Sequence, residues 1–168
     1  MDQIDYKILT ILQDNARETA SSISKKIQLS VSAVIERIHK LEENQFINKY
    51  TIIVDERKTG NIMLSLMEVA LENPRYYEAF AEQIKKMDRV VSCYYVTGEF
   101  DLELKIACSS PDELEQIHRE IMSLEGVSDT KTHVVLRTVK NIYSSIRKPD
   151  EAEDRKPSEK KTSSRKKR

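Results

Sequence analysis

Apolar residues in the first part of the chain recur at helical spacing in three short segments. The three sets are Ile4, Ile8, Ile11 and Leu12; then Ala20, Ile23 and Ile27; then Val31, Val34, Ile38 and Leu41. Spacings of three and four residues predict amphipathic helices. Helices this short need one another for stability. Ser30, after a break at Gln28-Leu29, is suited to cap the third helix. Two helices joined by a turn of about four residues form a helix-turn-helix, whose second helix enters the major groove of DNA.

The polar face of the second and third predicted helices has the composition of a DNA-contacting surface. Small residues let a helix backbone approach the duplex, and cations pair with phosphates or guanine edges. An ordinary solvated helix would also present a polar face, so periodicity alone leaves both interpretations open. The predicted DNA-contacting residues are Ser21, Ser22, Lys25, Lys26, Ser30, Ser32, Ala33, Glu36, Arg37 and Lys40.

The pattern changes after the third helix. Residues 50–54 (YTIIV) are aromatic and β-branched and predict a strand leaving the helices. Further strands are predicted at 61–71, 90–97, 102–108 and 130–139. Helices are predicted after Asn73-Pro74 and after Ser110, where serine, proline and Glu113 form a start signal. The order β-α-β-β-α-β is that of a ferredoxin-like domain.

The predicted fold class is therefore α+β, with an N-terminal all-α (winged) helix-turn-helix domain and a C-terminal ferredoxin-like βαββαβ domain. The expected boundaries are 1–54, a linker at 55–60, the second domain at 61–146 and a tail at 147–168. Residues 62–71 are apolar on both faces of their strand. The sheet face opposite the helices should therefore be covered, most simply by a second copy of the chain.

Charge is distributed unevenly along a chain of 168 residues with 28 basic and 28 acidic side chains. The tail 147–168 holds 10 basic and 5 acidic residues, which predicts disorder there. It also leaves residues 1–146 with a net charge of −5, and the acidic excess falls entirely within 61–146. The zero net charge is an average and does not argue against a nucleic-acid partner. Two functions are open for the tail, sequence-independent contact with phosphates and simple solubilisation.

The sequence offers little for catalysis or metal binding. It contains no P-loop, GxGxxG, HExxH, GxSxG or CxxC motif. The three histidines and two cysteines lie far apart, and Cys93 and Cys108 occupy predicted strands as small apolar residues. We expect no catalytic residues, no metal, no cofactor, no membrane span and no secretory signal, and hence a cytoplasmic protein.

An ordered set of short motifs runs across both predicted domains. Its residues are Asp2-x-x-Asp5-x-x-Ile8-Leu9, Leu12-Gln13, Asn15-Ala16-Arg17, Leu29-Ser30, Arg37-Ile38-x-x-Leu41-Glu42, Ile47-x-x-Tyr50, Val54-Asp55, Gly60, Gly98-x-x-Asp101, Gly126-Val127 and Thr130-x-Thr132. This set resembles the Lrp/AsnC (feast/famine) family of prokaryotic transcription regulators. Glycine is usual in that family where this chain has Gln45 and Lys49, so the turn after the third helix is expected to differ locally.

The resemblance implies a regulator that binds double-stranded DNA, forms dimers and higher oligomers such as octamers, and binds a small effector, often an amino acid, between subunits. Asp101 could pair with the α-ammonium group of an amino acid, and exposed backbone N–H groups could bind its α-carboxylate. Alternatively, Gly98 could be present only because the turn needs a positive φ, and Asp101 only because it caps the turn. The effector-binding residues that it implies are Gly98, Glu99, Phe100, Asp101, Thr130 and Thr132.

Two other functions share this architecture. One is a tetrapyrrole-metabolising enzyme similar to sirohaem decarboxylase, which would use His118 or His133. The other is an amino-acid sensor that does not bind DNA. Bound tetrapyrrole with little DNA affinity would indicate the enzyme, whereas sequence-specific DNA binding would indicate the regulator.

Overall fold

A computed structural model of the protein describes residues 1–149, in which the chain forms two compact units. The helical unit comprises Met1–Ile52 together with the stretch that begins at Ile142, and the sheet unit comprises Ile53–Asn141. The tail was predicted to be disordered, and its residues from 150 onward lie outside the described part of the chain. No helix of residues 1–149 is long and apolar enough to cross a membrane.

The helical unit contains three helices, α1 (Gln3–Asp14), α2 (Ala20–Ile27) and α3 (Val31–Glu43). Each has a side-chain N-cap, which satisfies backbone N–H groups that the helix itself leaves unpaired. Asp2 caps α1 in a capping box with Asp5, Thr19 caps α2 and Ser30 caps α3. The predicted stripes meet in a core in which Ile8, Ile23 and Val34 are fully buried. The three predicted helices and the Ser30 cap are confirmed.

Gln45, at the position where the resemblance expects glycine, adopts the left-handed conformation that glycine favours, with φ +58°. The N–H groups of Phe46 and Ile47 then both reach the carbonyl oxygen of Leu41, at 2.9 and 3.1 Å. This closes the C-terminal turn of α3. The turn is therefore present despite the substitution.

The strand predicted at residues 50–54 is wrong. These residues are irregular and exposed, and Ile52 and Ile53 expose 78% and 68% of their surface. A strand requires backbone pairing with a neighbour, and no described residue supplies one. The winged form of the helix-turn-helix is therefore absent from the described part of the chain.

The sheet unit has the predicted β-α-β-β-α-β order. Its elements are β1 (Met63–Leu71), α4 (Tyr77–Ile84), β2 (Val90–Tyr95), β3 (Leu102–Cys108), α5 (Pro111–Met122) and β4 (Val127–Val134). The antiparallel sheet has the strand order β2-β3-β1-β4, and both helices cover one face. The core beneath them is Met67, Val69, Leu71, Phe80, Ile84, Leu102, Leu104, Ile106, Cys108, Ile117 and Ile121. This confirms the α+β class and the ferredoxin-like pattern.

Several element boundaries differ from the prediction, and β1 begins at Met63 and not at residue 61. Pro74–Tyr76 forms a single 3-10 turn, and the α-helix begins only at Tyr77. β2 ends at Tyr95, because the Val96 N–H then donates to Asp101 and closes the hairpin. β4 runs from Val127 to Val134 and not from 130 to 139, because its pairing with β1 extends from Val127 opposite Leu71 to Val134 opposite Ser65.

The sheet face opposite the helices has a mixed surface. β1 contributes Leu64, Leu66 and Ala70 to it, all half-buried within the single chain. Glu68 lies at its centre with Lys131 at 3.9 Å and His133 at 3.4 Å. The apolar positions along β1 are the basis for expecting that another copy of the chain covers this face.

Candidate functional site

The turn between α2 and α3 is built by two residues of opposite conformation. Gln28 ends α2 in the left-handed region with φ 58°, and Ser30 is extended and caps α3 through the N–H of Ala33. The turn holds Ser32 and Ala33 at the start of α3, and Ser32 is exposed. The structure thus places the predicted DNA-contacting residues on the two helices of a helix-turn-helix.

Three of the four cations predicted on this face form ion pairs within the helical unit. Lys26 pairs with Glu18 at 2.7 Å, and Ser22 also donates to that carboxylate. Lys40 pairs with Glu36 at 2.7 Å across one helical turn. Lys25 is exposed and forms no hydrogen bond or ion pair with the described residues. These pairs must open or be shared when the cations bind phosphate.

Arg37 differs from the expectation that it projects freely from the exposed face. Its Nη1 donates to Asp2 and Asp5 of α1, each at 2.7 Å, and its side chain is 31% exposed. Hydrogen bonds from the guanidinium to these two carboxylates raise the pKa of Arg37. The arginine therefore joins α3 to the start of α1 as well as facing the candidate interface.

Sequence reasoning missed Glu18, Asp2 and Asp5 as partners of these cations, and it named Glu36 only as a DNA-contacting residue. The hydrogen bond from Lys40 lowers the pKa of Glu36. The hydrogen bond from Lys26, and after it the one from Ser22, lowers the pKa of Glu18. Sequence reasoning also missed Phe46, which is 53% exposed and lines a groove of about 460 Å³ with Ala33 and Arg37. The capping-box spacing of Asp2 and Asp5 was the only signal that the start of α1 could accept a cation.

The predicted effector turn connects β2 and β3. Gly98 has φ +143°, a conformation that favours glycine. The Asp101 carboxylate accepts hydrogen bonds from the Leu71 N–H at 2.8 Å and the Tyr77 hydroxyl at 2.6 Å. These bonds, the backbone N–H first, lower the pKa of Asp101. Its carboxylate thus fixes the turn against β1 and α4, which is the structural function that the sequence left open.

The two predicted threonines lie at the same end of the sheet, on the other side of β1. Thr130 pairs with Val69 from one side, while the Asp101 N–H donates to the Val69 carbonyl from the other at 3.0 Å. The Thr130 hydroxyl lies 2.9 Å from His118 Nε2. Thr132 is exposed. Within one chain, the turn and the threonines are therefore separated by a strand and do not enclose a common pocket.

Replacing Asp101 with alanine should lower the free energy of unfolding of the sheet unit by about 2 kcal/mol at pH 7, because the Leu71 N–H loses a charged acceptor. The folded pKa of Asp101 is lowered, so this stabilisation is complete above its ordinary value of 3.8 and is lost as the pH falls through the lower folded value. Urea unfolding at pH 7 and pH 3 measures both effects.

The control for this measurement is Asp88→Ala, which removes an exposed carboxylate. We expect little loss of stability in the control. The difference between wild type and the Asp101 variant should shrink at pH 3. An Asp101 variant as stable as the control at pH 7 would contradict the assignment of Asp101 as the residue that fixes the turn.

Both parts of the chain match models of one protein family. Residues 1–42 match the AsnC-type helix-turn-helix domain, and residues 64–144 match the Lrp/AsnC ligand binding domain. Together these matches cover most of the sequence that precedes the basic tail and leave residues 43–63 between them.

Curated relatives match over most of their length. The chain is 36% identical over 140 residues to the HTH-type transcriptional regulator FL11 of Pyrococcus horikoshii, covering 83% of this chain and 92% of the relative. It is 32% identical over 143 residues to the leucine-responsive regulatory protein of Escherichia coli, covering 83% and 87%.

Solved structures have the same fold. A transcriptional regulator from Neisseria meningitidis in complex with L-Met aligns with a TM-score of 0.83 at 26% identity, covering 87% of this chain and 96% of that one. LrpC of Bacillus subtilis aligns with a TM-score of 0.77 at 30% identity, covering 83% and 97%.

Proposed function

The chain belongs to the Lrp/AsnC family of transcriptional regulators, and from this membership we propose which of its residues contact DNA and effector. The α2–α3 face binds an operator in the major groove, and the sheet unit binds an amino acid and pairs with a second copy of the chain. The relatives are named as transcriptional regulators, which supports a regulator over the tetrapyrrole-metabolising enzyme. Because its target is the genome of a prokaryotic cell, we place the protein in the cytoplasm.

The observation that carries the DNA-binding assignment is the start of α3. Ser30 caps the helix, so its first N–H groups are fixed, and the small side chains of Ser32 and Ala33 leave the helix end unobstructed. Recognition helices contact base edges with residues at this end. Lys25 on α2 is free to bind a flanking phosphate. Ser21 and Ser22, also on α2, are its proposed neighbours at the DNA backbone.

The ion pairs of the same face control how strongly it attracts DNA. Glu36 and Glu18 neutralise Lys40 and Lys26 in the free protein. Exposed pairs of this kind contribute little to stability, so phosphates replace the carboxylates at small cost. Arg37 retains Asp2 and Asp5 as partners. It thereby orients α3 while it faces the major groove of the operator.

Selection of bound fragments from genomic DNA by the purified full chain tests this assignment. We expect the recovered fragments to share a motif with two-fold symmetry, since two copies of the helix-turn-helix bind half-sites about one helical turn apart or a multiple of it. Recovery of fragments without a common motif would contradict sequence-specific reading.

For the effector, we propose that the turn Gly98–Asp101 receives the carboxylate of an amino acid. The N–H groups of Gly98, Glu99 and Phe100 make no backbone hydrogen bond with described residues and are available as donors. Glu99 is exposed and offers a carboxylate to an α-ammonium group, while Asp101 holds the turn in place. Thr130 and Thr132, which lie across β1, complete the site from a neighbouring copy of the chain.

The proposed partner of the sheet unit is that second copy. Leu136 and Val139 expose 93% and 85% of their surface in the single chain, and the face of β1 with Leu64 and Leu66 is half-buried. Apolar surface of this extent is typical of an interface between subunits. A dimer covers it, and further association of dimers produces a higher oligomer such as an octamer.

Analytical ultracentrifugation with each amino acid in turn tests the effector and the assembly together. We expect a species of at least two chains without ligand. We also expect at least one amino acid to shift the distribution, because a ligand bound between subunits favours the assembly that forms its site. A monomer, or a distribution unchanged by every amino acid, would contradict the corresponding part of the proposal.

A further inference from the structure

Two carboxylates at the start of α1 hold one nitrogen of the Arg37 guanidinium. Nη1 donates to Asp2 Oδ2 and to Asp5 Oδ1, each at 2.7 Å. An arginine Nη carries two hydrogens, so both hydrogens of Nη1 are used. Nε and Nη2 donate to none of residues 1–149. The guanidinium is therefore fixed through Nη1, while the edge formed by its Nε–H and Nη2–H groups is free.

Each of the two carboxylates divides its oxygens between the end of α1 and the arginine. Asp2 Oδ1 accepts from the N–H groups of Ile4 and Asp5, both at 2.8 Å. Asp5 Oδ2 accepts from the Asp2 N–H at 2.9 Å. These bonds occupy one oxygen of each carboxylate and leave the other for Arg37. A cap needs only one acceptor oxygen, and asparagine supplies it as well as aspartate does. The second oxygen of each side chain thus serves the arginine and not the cap.

Arg37 shares a face of α3 with other residues of the proposed DNA interface. Ala33 precedes it by four residues and Lys40 follows it by three, spacings that place all three side chains on one side of a helix. All three also line the groove of about 460 Å³. The Arg37 side chain is 31% exposed. The fixed guanidinium therefore lies where α3 is proposed to meet DNA.

The charge of this cluster favours a base over a phosphate as the ligand of Arg37. One cation with two carboxylates has a net charge of −1, which repels a phosphate. The major-groove edge of guanine has no net charge and presents two acceptors, N7 and O6. Two parallel N–H groups of arginine match this pair of acceptors, and the free edge of Arg37 supplies such a pair.

We propose that Arg37 reads a guanine of the operator through Nε and Nη2, and that Asp2 and Asp5 are positioning residues that fix this edge. The proposal rests on the DNA-binding function above. An arginine that is already held loses less side-chain entropy when it binds. The carboxylates also discourage phosphate contact, so they increase discrimination between sequences while they lower affinity for DNA of any sequence.

The test measures the affinity of full-length proteins for an operator recovered from genomic selection, for a scrambled duplex, and for operators with 7-deazaguanine in place of one guanine at a time. This base lacks N7 and retains O6. The variants are Asp2→Asn, Asp5→Asn and Arg37→Lys. Asparagine keeps an oxygen for the cap, and lysine keeps the charge without the planar fork. Asp14→Asn, at the opposite end of α1, is the matched control, since its carboxylate is exposed and contacts no charged group of residues 1–149.

In the wild type and the control, 7-deazaguanine at one position of each half-site should lower affinity about tenfold. In the three variants this loss should shrink to about twofold or less, because the fork is absent or no longer fixed. Asp2→Asn and Asp5→Asn should also bind the scrambled duplex more tightly than the control does. A released arginine neutralises one more phosphate, so from 50 to 200 mM salt their affinity for this duplex should fall about threefold more than that of the control.

The outcomes distinguish this inference from the proposed function. If the wild type prefers the operator but every 7-deazaguanine is tolerated, Arg37 does not read a guanine and only this inference fails. If Asp2→Asn and Asp5→Asn remain as sensitive to the altered base as the control, the carboxylates do not position the arginine. A loss of affinity for both duplexes together with a lower unfolding temperature would assign the ion pairs to stability alone and would overturn the inference. If the wild type does not prefer the operator, the proposed function itself fails.

Discussion

Replacing Gly126 with alanine should destabilise the sheet unit by about 3 kcal/mol, the largest effect on stability that we expect from any single added methyl group in this chain. Gly126 has φ +84°, and this left-handed conformation costs a residue with a Cβ about 1–2 kcal/mol. The added Cβ would also overlap the Cγ and Cδ2 of Tyr76 and lie 2.7 Å from its Cβ. Crowding of a packed site costs about 1–3 kcal/mol more.

The consequence extends to the strand pairing of the sheet. Gly126 accepts a hydrogen bond from the Glu72 N–H at 2.8 Å and directly precedes β4. A shift of its backbone would move the start of β4 relative to β1, where the register already changes between Ala70 and Leu71. Urea unfolding followed by circular dichroism measures the loss.

Gly60→Ala is the matched control, because Gly60 has φ +95° but an added Cβ would meet nothing within 4 Å. Gly60→Ala should lower the free energy of unfolding only by the cost of the left-handed conformation, about 1 kcal/mol. Tyr76→Ala in the Gly126→Ala background removes the two closest atoms and should recover part of the loss in a double-mutant cycle. Equal losses at Gly60 and Gly126 would show that the packing against Tyr76 contributes nothing.

Replacing Ala33 with glutamate should weaken operator binding by about a hundredfold while leaving the helical unit folded. Ala33 is the third residue of α3, and its N–H is already capped by Ser30. Glutamate at this position completes a capping box and is favourable for the helix. Against DNA, however, it introduces a bulky anion where the helix end meets the groove. A misplaced like charge at an interface costs several kcal/mol.

Ala79→Glu is the control, since Ala79 is exposed on α4 of the sheet unit and the substitution changes the net charge by the same amount. Fluorescence anisotropy with a labelled operator should give wild-type affinity for the control. Thermal unfolding should show both variants folded. An Ala33 variant that binds as tightly as the control would show that the start of α3 does not approach the DNA.

The sequence predicted well those features that depend on neighbours within a few residues. Ser30 and Ser110 cap their helices as predicted because a cap is a contact over three residues. β3 was predicted with its observed bounds of Leu102–Cys108, since alternation of buried positions is visible along one strand. The family resemblance was likewise carried by residues distributed along the whole of both domains.

The errors concern pairing between distant residues. Residues 50–54 have strand propensity but no partner among the described residues, and β4 ends opposite Ser65 near the start of β1, which no local pattern of β4 reveals. Arg37 and Asp101 were identified as functional residues, but their partners lie 24 to 35 residues away in sequence. Sequence periodicity places a side chain on a face of a helix or turn; it does not identify the charged group that the folded chain brings against it.

Gln45 shows that a helix can still be closed by a left-handed residue where the family sequence usually has glycine. A turn that ends a helix is held by its backbone hydrogen bonds to Leu41, and glutamine accepts the left-handed conformation at a cost of about 1 kcal/mol.

The central claim is that α3 reads a DNA sequence. The most direct test is a competition titration in which the full-length chain, at one fixed salt concentration, chooses between a fragment recovered from genomic selection and a scrambled duplex of the same composition. We predict a preference of at least about a thousandfold for the selected fragment, strongly reduced by Ala33→Glu and unchanged by Ala79→Glu. Equal affinity of the wild type for the two duplexes would contradict the claim.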